Sequence, residues 1–346
     1  MAKPYSQGHI ATEDPPFEVG WATSIGALPH DDPAAATELI LRTQPDLPAT
    51  PNLPQRSPLE GMLQQAMWGI PGVTVDGDGQ IHVDASALGP ESSLEDSGMD
   101  AEPYASLRAF LAAIAGRTGP VKTQLTGPVT LGLALTMHGV DSTVAFLVAE
   151  RVVTMRAAAL VATMRASLPD ARLVVFLDEP ALVGTAQLGF PLDTDAIIDL
   201  VSGVLAALEH DATTGVHCCG EADWQAILGA GPKVLSLPVG AQIDRVPGSL
   251  TAFLEGGGWI AWGAVPTSAP VGERAGLYWK TLSKQWCSLV QQGADPVLIR
   301  RRSLITPHCG LAEHGPEQAE HVLKLCALVA GSLQEQAVSV KLSVGA

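Results

Sequence analysis

Cysteine is scarce in this chain, with five residues among 346. Small secreted domains that depend on disulfides are much richer in cysteine, and an odd number of thiols cannot be paired completely. The cysteine content therefore excludes a disulfide framework. It predicts a cytoplasmic protein whose thiols are available for other chemistry.

Long uncharged apolar stretches are also missing. None reaches the roughly 18 residues that would span a bilayer, and residues 1–20 have no apolar core of the kind a signal peptide needs. The nearest candidate, 142–164, contains Glu150, Arg151 and Arg156, so we expect a largely buried helix there. The sequence predicts no membrane partner.

Basic residues are few, since 20 Lys and Arg stand against 36 Asp and Glu and give a net charge of −16. A chain of this charge repels the phosphate backbone of nucleic acids and the surface of anionic lipid. We therefore expect no nucleic-acid partner.

Apolar residues and glycine are abundant, at 47% of the chain and 35 residues respectively, as in a globular protein with many turns. Seven short apolar runs of β character alternate with helical stretches, and an eighth strand is less certain. The runs are 17–26, 121–125, 172–177, 213–217, 233–239, 259–265 and 297–306. Such alternation favours parallel strands joined by right-handed crossovers. The pattern predicts an α/β fold, a single TIM (β/α)8 barrel that forms one domain over residues 1–346.

Helix starts and irregular segments complete the predicted architecture. We expect helices to begin at Asp32 before Pro33, at Asp193 or Thr194, and with Pro316 in a first turn. The proline-rich stretch 44–58 is predicted to be an irregular loop over one mouth of the barrel. The acidic stretch 76–103 is predicted to be an inserted hairpin with a mobile loop.

Polar or reactive residues follow most of the predicted strands. The segments are 24–30, 125–130, 176–182, 216–220, 262–268 and 306–311. In a barrel of parallel strands all carboxyl ends meet at one face, where the active sites of this fold lie. We therefore expect these segments to converge on one site.

The stretch "VHCCG" at 216–220 contains adjacent cysteines behind a histidine. Residues i and i+2 of an extended strand face the same way, so His217 and Cys219 share a direction and Cys218 faces the opposite side. A disulfide between adjacent cysteines would join Cα atoms only about 3.8 Å apart and would be strained. A redox pair is therefore disfavoured.

Another cysteine, Cys309, follows the last predicted strand and should lie at the same mouth of the barrel as His217 and Cys219. One imidazole and two thiolates suit Zn²⁺, with three protein ligands and one open position. The alternative is that each is merely a small buried residue. We assign Cys218, Cys287 and Cys326 to packing, and we expect His308 to support the ligands rather than to bind metal.

Five short motifs, in this order along the chain, resemble those of the cobalamin-independent methionine synthase family, in its C-terminal catalytic barrel. They are "TSIGALP", "VKTQLTGPVTL", "FLDEPAL", "VHCCG" and "ITPHCGL". That barrel is similar in fold to uroporphyrinogen decarboxylase. The resemblance extends from about residue 20 to 330 and implies a short, single-barrel form of the family.

The resemblance implies an activity, the transfer of a methyl group to homocysteine to give methionine. It places zinc on the same three residues and the homocysteine amino group near Asp178. It places the substrate carboxylate near the backbone of Ile25, Gly26 and Ala27. A plain alternative for Asp178 is that its carboxylate caps the following turn.

The sequence departs from the family at three points. Pro238 stands where the family has a glutamate ligand, which leaves three ligands or an alternative acid such as Glu221. Thr267 or Ser268 stands where the family has a proton-shuttling histidine. The N-terminal second barrel of the long family members has no counterpart here, so the expected methyl donor is a methylfolate or a methyl-corrinoid.

Two functions of different class remain after these departures. The first is a zinc-dependent methyltransferase acting on a thiol. The second is a non-catalytic or repurposed relative that retains the barrel and the metal. A decarboxylase acting on a tetrapyrrole is disfavoured, because few arginines follow the predicted strands to bind several carboxylates.

Overall fold

The computed structural model describes residues 16–187, 189–268 and 271–344. Residues 1–15, which belong to the segment inspected for a signal peptide, lie outside these ranges.

The helices and strands of the described chain follow in this order. The first half contains α1 (Pro33–Thr43), α2 (Met62–Met67), β1 (Val73–Val75), β2 (Ile81–Val83), α3 (Ala105–Ala113), β3 (Val121–Thr126), α4 (Pro128–Met137), α5 (Ser142–Ser167) and β4 (Leu173–Asp178). The second half contains α6 (Thr194–Leu208), β5 (Thr213–His217), α7 (Trp224–Gly229), β6 (Val234–Pro238), α8 (Pro247–Glu255), β7 (Trp259–Val265), α9 (Ala275–Gln291), α10 (Pro296–Arg301), β8 (Ser303–Pro307) and α11 (Pro316–Val344).

The main sheet is parallel and has six strands in the order β3-β4-β5-β6-β7-β8. Each strand pairs with the next along the chain through at least one intervening helix, as the alternating pattern predicted. The strands are buried almost throughout, because helices cover the sheet. The α/β class and the parallel sheet are confirmed.

Two extended segments connect the edges of this sheet through isolated bridges. Ala22 bridges Ile305 of β8, Ala49 bridges Lys122 of β3, and Ala27 bridges Asn52 between the two segments. The sheet therefore curls as a barrel does, but its regular strands number six of the eight predicted. The run 17–26 was expected to be a strand and forms only one bridge with β8.

The proline-rich stretch 44–58 is buried in its middle, which contradicts the prediction of a loop over the mouth. Leu47, Ala49 and Leu53 are fully buried. Thr50 donates its backbone N–H to the Lys122 carbonyl at 2.9 Å. Proline lacks a backbone donor, so the prolines of this stretch prevent a continuous ladder and leave isolated bridges.

The apolar run 297–306 was predicted to be a single strand, and this is wrong for its first half. Residues 296–301 form α10, because Asp295 caps the backbone N–H groups of Val297 and Leu298 and Pro296 occupies the first turn. The strand β8 begins only at Ser303.

The predicted helix starts are confirmed. Asp32 caps α1 by accepting from the backbone of Ala34 and Ala35, Asp193 caps α6, and Pro316 is the first residue of α11. The candidate stretch 142–164 lies within α5. None of the helices in the described ranges is long and apolar enough to cross a membrane.

The acidic stretch 76–103 starts within an antiparallel hairpin, in which β1 pairs with β2. Asp76 shapes its turn, since one side-chain oxygen accepts from the backbone N–H groups of Asp78 and Gln80. Further along, Arg156 of α5 donates to the Ser97 carbonyl and the Tyr104 hydroxyl at 3.0 and 3.1 Å and also to the Trp68 carbonyl. This arginine attaches the segment 68–104 to the core.

Candidate functional site

The polar strand ends of β4 and β5 lie side by side. Asp178 is the last residue of β4 and pairs in register with His217, the last residue of β5. His217 in turn pairs with Ser236 of β6. Because parallel strands end at the same edge, residues that are about 40 and 20 apart in sequence become neighbours.

His217 is held by its neighbour on β6. Its side chain is 3% exposed, and its Nδ1 lies 2.9 Å from the Ser236 hydroxyl. Its Nε2 is buried and has no hydrogen-bond partner among the described residues. A ring that is oriented through one nitrogen while the other stays free is the usual arrangement of a histidine ligand.

The thiols of Cys219 and Cys309 meet although 90 residues separate them. Cys309 lies close to both the Cys219 thiol and the His217 ring. Interaction with Cys309 lowers the pKa of Cys219, and interaction with Cys219, together with burial, raises the pKa of Cys309. The structure thus places Cys309 near Cys219 and His217, and the binding of a metal by these three residues stays a prediction.

The chemistry of this donor set fits zinc, because two thiols and an imidazole are its preferred protein ligands. The unpartnered Nε2 of His217 supports the same conclusion. Within the described ranges, however, no group of three His, Cys, Asp or Glu side chains is arranged to hold a metal ion. The three side chains therefore lie near one another without forming a set in coordination geometry.

The remaining cysteines divide between core and surface. Cys218 is fully buried in the apolar core, where burial raises its pKa to about 12, and Cys326 is also buried. Both agree with the predicted packing role. Cys287 is exposed, so its assignment to packing is wrong. The buried stripe of α9 is formed instead by Leu282, Trp286 and Leu289.

The positions where the sequence departs from the family motifs are also visible. Pro238 is the last residue of β6, is buried, and has no side-chain atom that could bind a metal. The Glu221 carboxylate accepts from the Trp224 indole at 3.0 Å and from the Gln242 backbone at 3.0 and 3.1 Å. Thr267 follows β7 and is half-buried, and Ser268 is exposed. A part for either hydroxyl in proton transfer stays a prediction.

Asp178 is a buried carboxylate without a complete set of partners. Its side chain is 9% exposed, and its Oδ1 has no hydrogen-bond partner in the described part of the chain. Burial raises its pKa to about 7, against the opposing effect of the Lys122 ammonium. A cationic ligand group at this oxygen would satisfy it.

The adjacent Glu179 has a structural role that the sequence analysis did not predict. Its carboxylate accepts from the backbone N–H groups of Val129 and Thr130 at 2.8 and 2.7 Å and from the Thr130 hydroxyl at 2.5 Å. It therefore caps the first turn of α4 from a neighbouring strand. The capping role that the sequence suggested as an alternative for Asp178 is therefore filled by Glu179.

The loop of Ile25, Gly26 and Ala27 contacts β3, the segment 48–52 and the segment that follows β8. Its carbonyl groups accept, in order, from Lys122 Nζ at 3.2 Å, from the Asn52 backbone at 3.1 Å and from the Leu311 backbone at 2.8 Å. Gly26 has a φ of +124°, which only glycine adopts readily. Leu311 is two residues beyond Cys309, so this loop and the thiol loop are joined directly.

Sequence reasoning also missed Lys122, Gln124 and Ser236. The signal for the first was present, because a lysine in the strand "VKTQLT" of a fully covered sheet needs a buried partner. Lys122 is fully buried.

No protein-family model matches this sequence, and no curated protein matches it. Among solved structures, the fold is similar to that of a B12-independent methionine synthase from Shewanella sp. W3-18-1 in complex with selenomethionine. The identity is 15% and the TM-score 0.62, with 93% of this chain and 99% of that chain covered. At this identity the likeness shows the fold alone. The chain has an α/β fold like that of a B12-independent methionine synthase.

Proposed function

We propose that this protein is a zinc-dependent methyltransferase that moves a methyl group to a thiol, with homocysteine as the acceptor and methionine as the product. The observation that carries the proposal is the meeting of the Cys219 and Cys309 thiols beside the free Nε2 of His217. In this proposal the chain is one cytoplasmic (β/α)8 domain, with the segments bridged at Ala22 and Ala49 in the first two strand positions.

His217, Cys219 and Cys309 would hold the zinc. When bound, zinc lowers the pKa of a substrate thiol so that it is a thiolate, the nucleophile that methyl transfer to sulfur requires, at neutral pH. The Ser236 hydroxyl, through its contact with Nδ1, holds the His217 ring in an orientation that leaves Nε2 available for the metal.

Asp178 and the loop of residues 25–27 would hold the amino-acid part of the substrate. The unpartnered Oδ1 of Asp178 is suited to accept a charge-assisted hydrogen bond from an ammonium group. The carbonyls of this loop accept hydrogen bonds from within the protein, whereas no backbone acceptor is seen for the N–H groups of residues 25–27 in the described part of the chain, and such N–H groups suit a carboxylate. The methyl donor in this proposal is a methylfolate or a methyl-corrinoid, and Thr267 stands in for the proton-shuttling histidine.

A repurposed relative without methyltransferase activity is the second candidate. It is favoured by Pro238, which removes an acidic ligand from β6, and by the engagement of Glu221 with Trp224 and Gln242. Its chain would keep the thiol pair but would not convert homocysteine.

Metal analysis of the purified protein tests the first requirement of the proposal. We expect about one zinc per chain, which Cys219→Ser should remove because one of three ligands is lost. Cys218→Ser is the matched control, since this thiol lies in the apolar core and should leave the zinc content unchanged. Loss of zinc from the Cys218 variant and retention in the Cys219 variant would contradict the proposed ligand set.

A methylation assay then separates the two candidate functions. L-homocysteine should be converted to methionine, detected by mass spectrometry, with either a methyltetrahydrofolate or methylcobalamin as donor. Zinc binding without conversion by any of these donors would favour the repurposed relative.

A further inference from the structure

Lys122 is a buried cation on β3, at one edge of the six-stranded sheet, and forms no ion pair with a carboxylate among the described residues. Its Nζ donates to Gln124 Oε1 at 2.9 Å and to the Ile25 carbonyl at 3.2 Å, and it lies 4.6 Å from the centre of the Phe176 ring. Burial lowers its pKa to about 8. An ammonium group is costly to bury, so these contacts must hold it in one place.

Gln124, which accepts from Lys122, also lies against Gly26. Its Nε2 donates to the Asn52 side chain at 2.6 Å and to the Thr50 carbonyl at 2.9 Å, which fixes the amide between β3 and the segment 48–52. A Cβ built on Gly26 would lie 2.2 Å from that Nε2. The loop backbone is therefore pressed directly against the Gln124 amide.

The two side chains act on the same loop from two directions. Lys122 holds the carbonyl of Ile25, and Gln124 sets how closely the Gly26 backbone can approach β3. The Ile25 carbonyl and the Gly26 N–H belong to one planar peptide group, so fixing the carbonyl also fixes the direction of the Gly26 N–H.

We infer that Lys122 and Gln124 are positioning residues for the carboxylate of the amino-acid substrate, acting through the loop of residues 25–27. This inference rests on the proposed function. Neither side chain needs to touch the substrate, because the loop N–H groups are the contacting donors.

The test compares two thiols that differ only in the carboxylate. L-homocysteine and 3-aminopropane-1-thiol share the thiol and the ammonium group, so their ratio of dissociation constants isolates the carboxylate contact. Calorimetry on zinc-loaded wild-type protein should show L-homocysteine binding at least about tenfold more tightly, the size of a charged hydrogen bond. In Lys122→Met and in Gln124→Leu the ratio should fall to about twofold or less, while the zinc content stays unchanged.

Arg156→Met is the matched control, since it also removes a buried cation that bonds to carbonyl groups. It should lower stability but keep the wild-type ratio. If Lys122 has only a structural role, Lys122→Met should keep the wild-type ratio of dissociation constants, as the control does. A retained ratio in Lys122→Met therefore overturns the inference.

The remaining outcomes are also decisive. A ratio that is lost in Lys122→Met but kept in Gln124→Leu overturns the positioning route, because Lys122 would then act on the carboxylate itself. If Lys122→Met does not fold, Gln124→Leu decides alone. Wild-type protein that fails to bind L-homocysteine overturns the proposed function together with the inference, whereas a preserved ratio in the variants overturns the inference only.

Discussion

At the scale of single residues, the adjacent carboxylates Asp178 and Glu179 show how one position along a strand changes a side chain's part. Asp178 is the last residue of β4 and Glu179 is the first residue beyond it, and the two carboxylates have different surroundings. Glu179 accepts three hydrogen bonds at the start of α4. Asp178 keeps an oxygen without a partner beside His217. The first is committed to structure, and the second remains available for a ligand.

Asp178→Asn should weaken binding of L-homocysteine by roughly tenfold to a hundredfold, because a neutral amide replaces the charged acceptor of an ammonium group. The zinc content should stay close to that of the wild type, since Oδ1 has no hydrogen-bond partner among the described residues. The unfolding midpoint should fall modestly, because the buried Lys122 ammonium loses the opposite charge that favours it. Calorimetric titration checks the affinity. Unchanged affinity in this variant would remove Asp178 from the substrate site.

At the scale of elements, the helices α4 and α5 begin in different ways. Asp141 caps α5 from within its own segment and is exposed. The cap of α4 comes instead from Glu179, about 50 residues away and fully buried. The α4 start is tightly enclosed, because a Cβ on Gly127 would lie 2.3 Å from the Glu179 carboxylate. A local cap can be read from sequence, and a distant one cannot.

The same chemical change at the two caps should therefore have unequal effects. Glu179→Gln should lower the free energy of unfolding by about 1–3 kcal/mol, because an amide N–H₂ would face a buried backbone donor. Asp141→Asn should change it by only a few tenths of a kcal/mol, since asparagine is an equally good exposed cap. Urea unfolding of both variants measures the difference, and equal losses would argue against a cap from Glu179.

At the scale of the whole molecule, the segment 68–104 is held against the core by two arginines of α5. Arg156 is buried and bonds to the carbonyls of Trp68 and Ser97 and to the Tyr104 hydroxyl. Arg151 is more exposed, bonds to the Pro90 carbonyl and pairs with Glu91. Only the first interaction is shielded from water, so it should dominate the attachment of the segment.

Arg156→Met should destabilise the protein by about 2–4 kcal/mol, because two partly buried carbonyl groups and the buried Tyr104 hydroxyl lose their donor. Arg151→Met is the control on the same helix and should cost about 0.5 kcal/mol or less, since its interactions are solvent-exposed. In the Arg156→Met variant, backbone amide hydrogen exchange should be faster in the segment 68–104 than in the main sheet. Uniform protection across both regions would contradict this attachment.

The sequence by itself determined the features that depend on neighbours along the chain. The alternation of strands and helices and the caps at Asp32 and Asp193 follow from local periodicity and hydrogen bonding. They were predictable because each involves residues only a few positions apart.

Only the tertiary structure decided the features that depend on sheet register and closure. The contact of Cys309 with Cys219, the Lys122 and Gln124 contacts with the 25–27 loop, and the burial of the proline-rich stretch all join distant segments. The surface position of Cys287 likewise depends on how α9 is rotated against the core. Local patterns do not specify which distant residues meet, because register and rotation are set by the packing of the entire core.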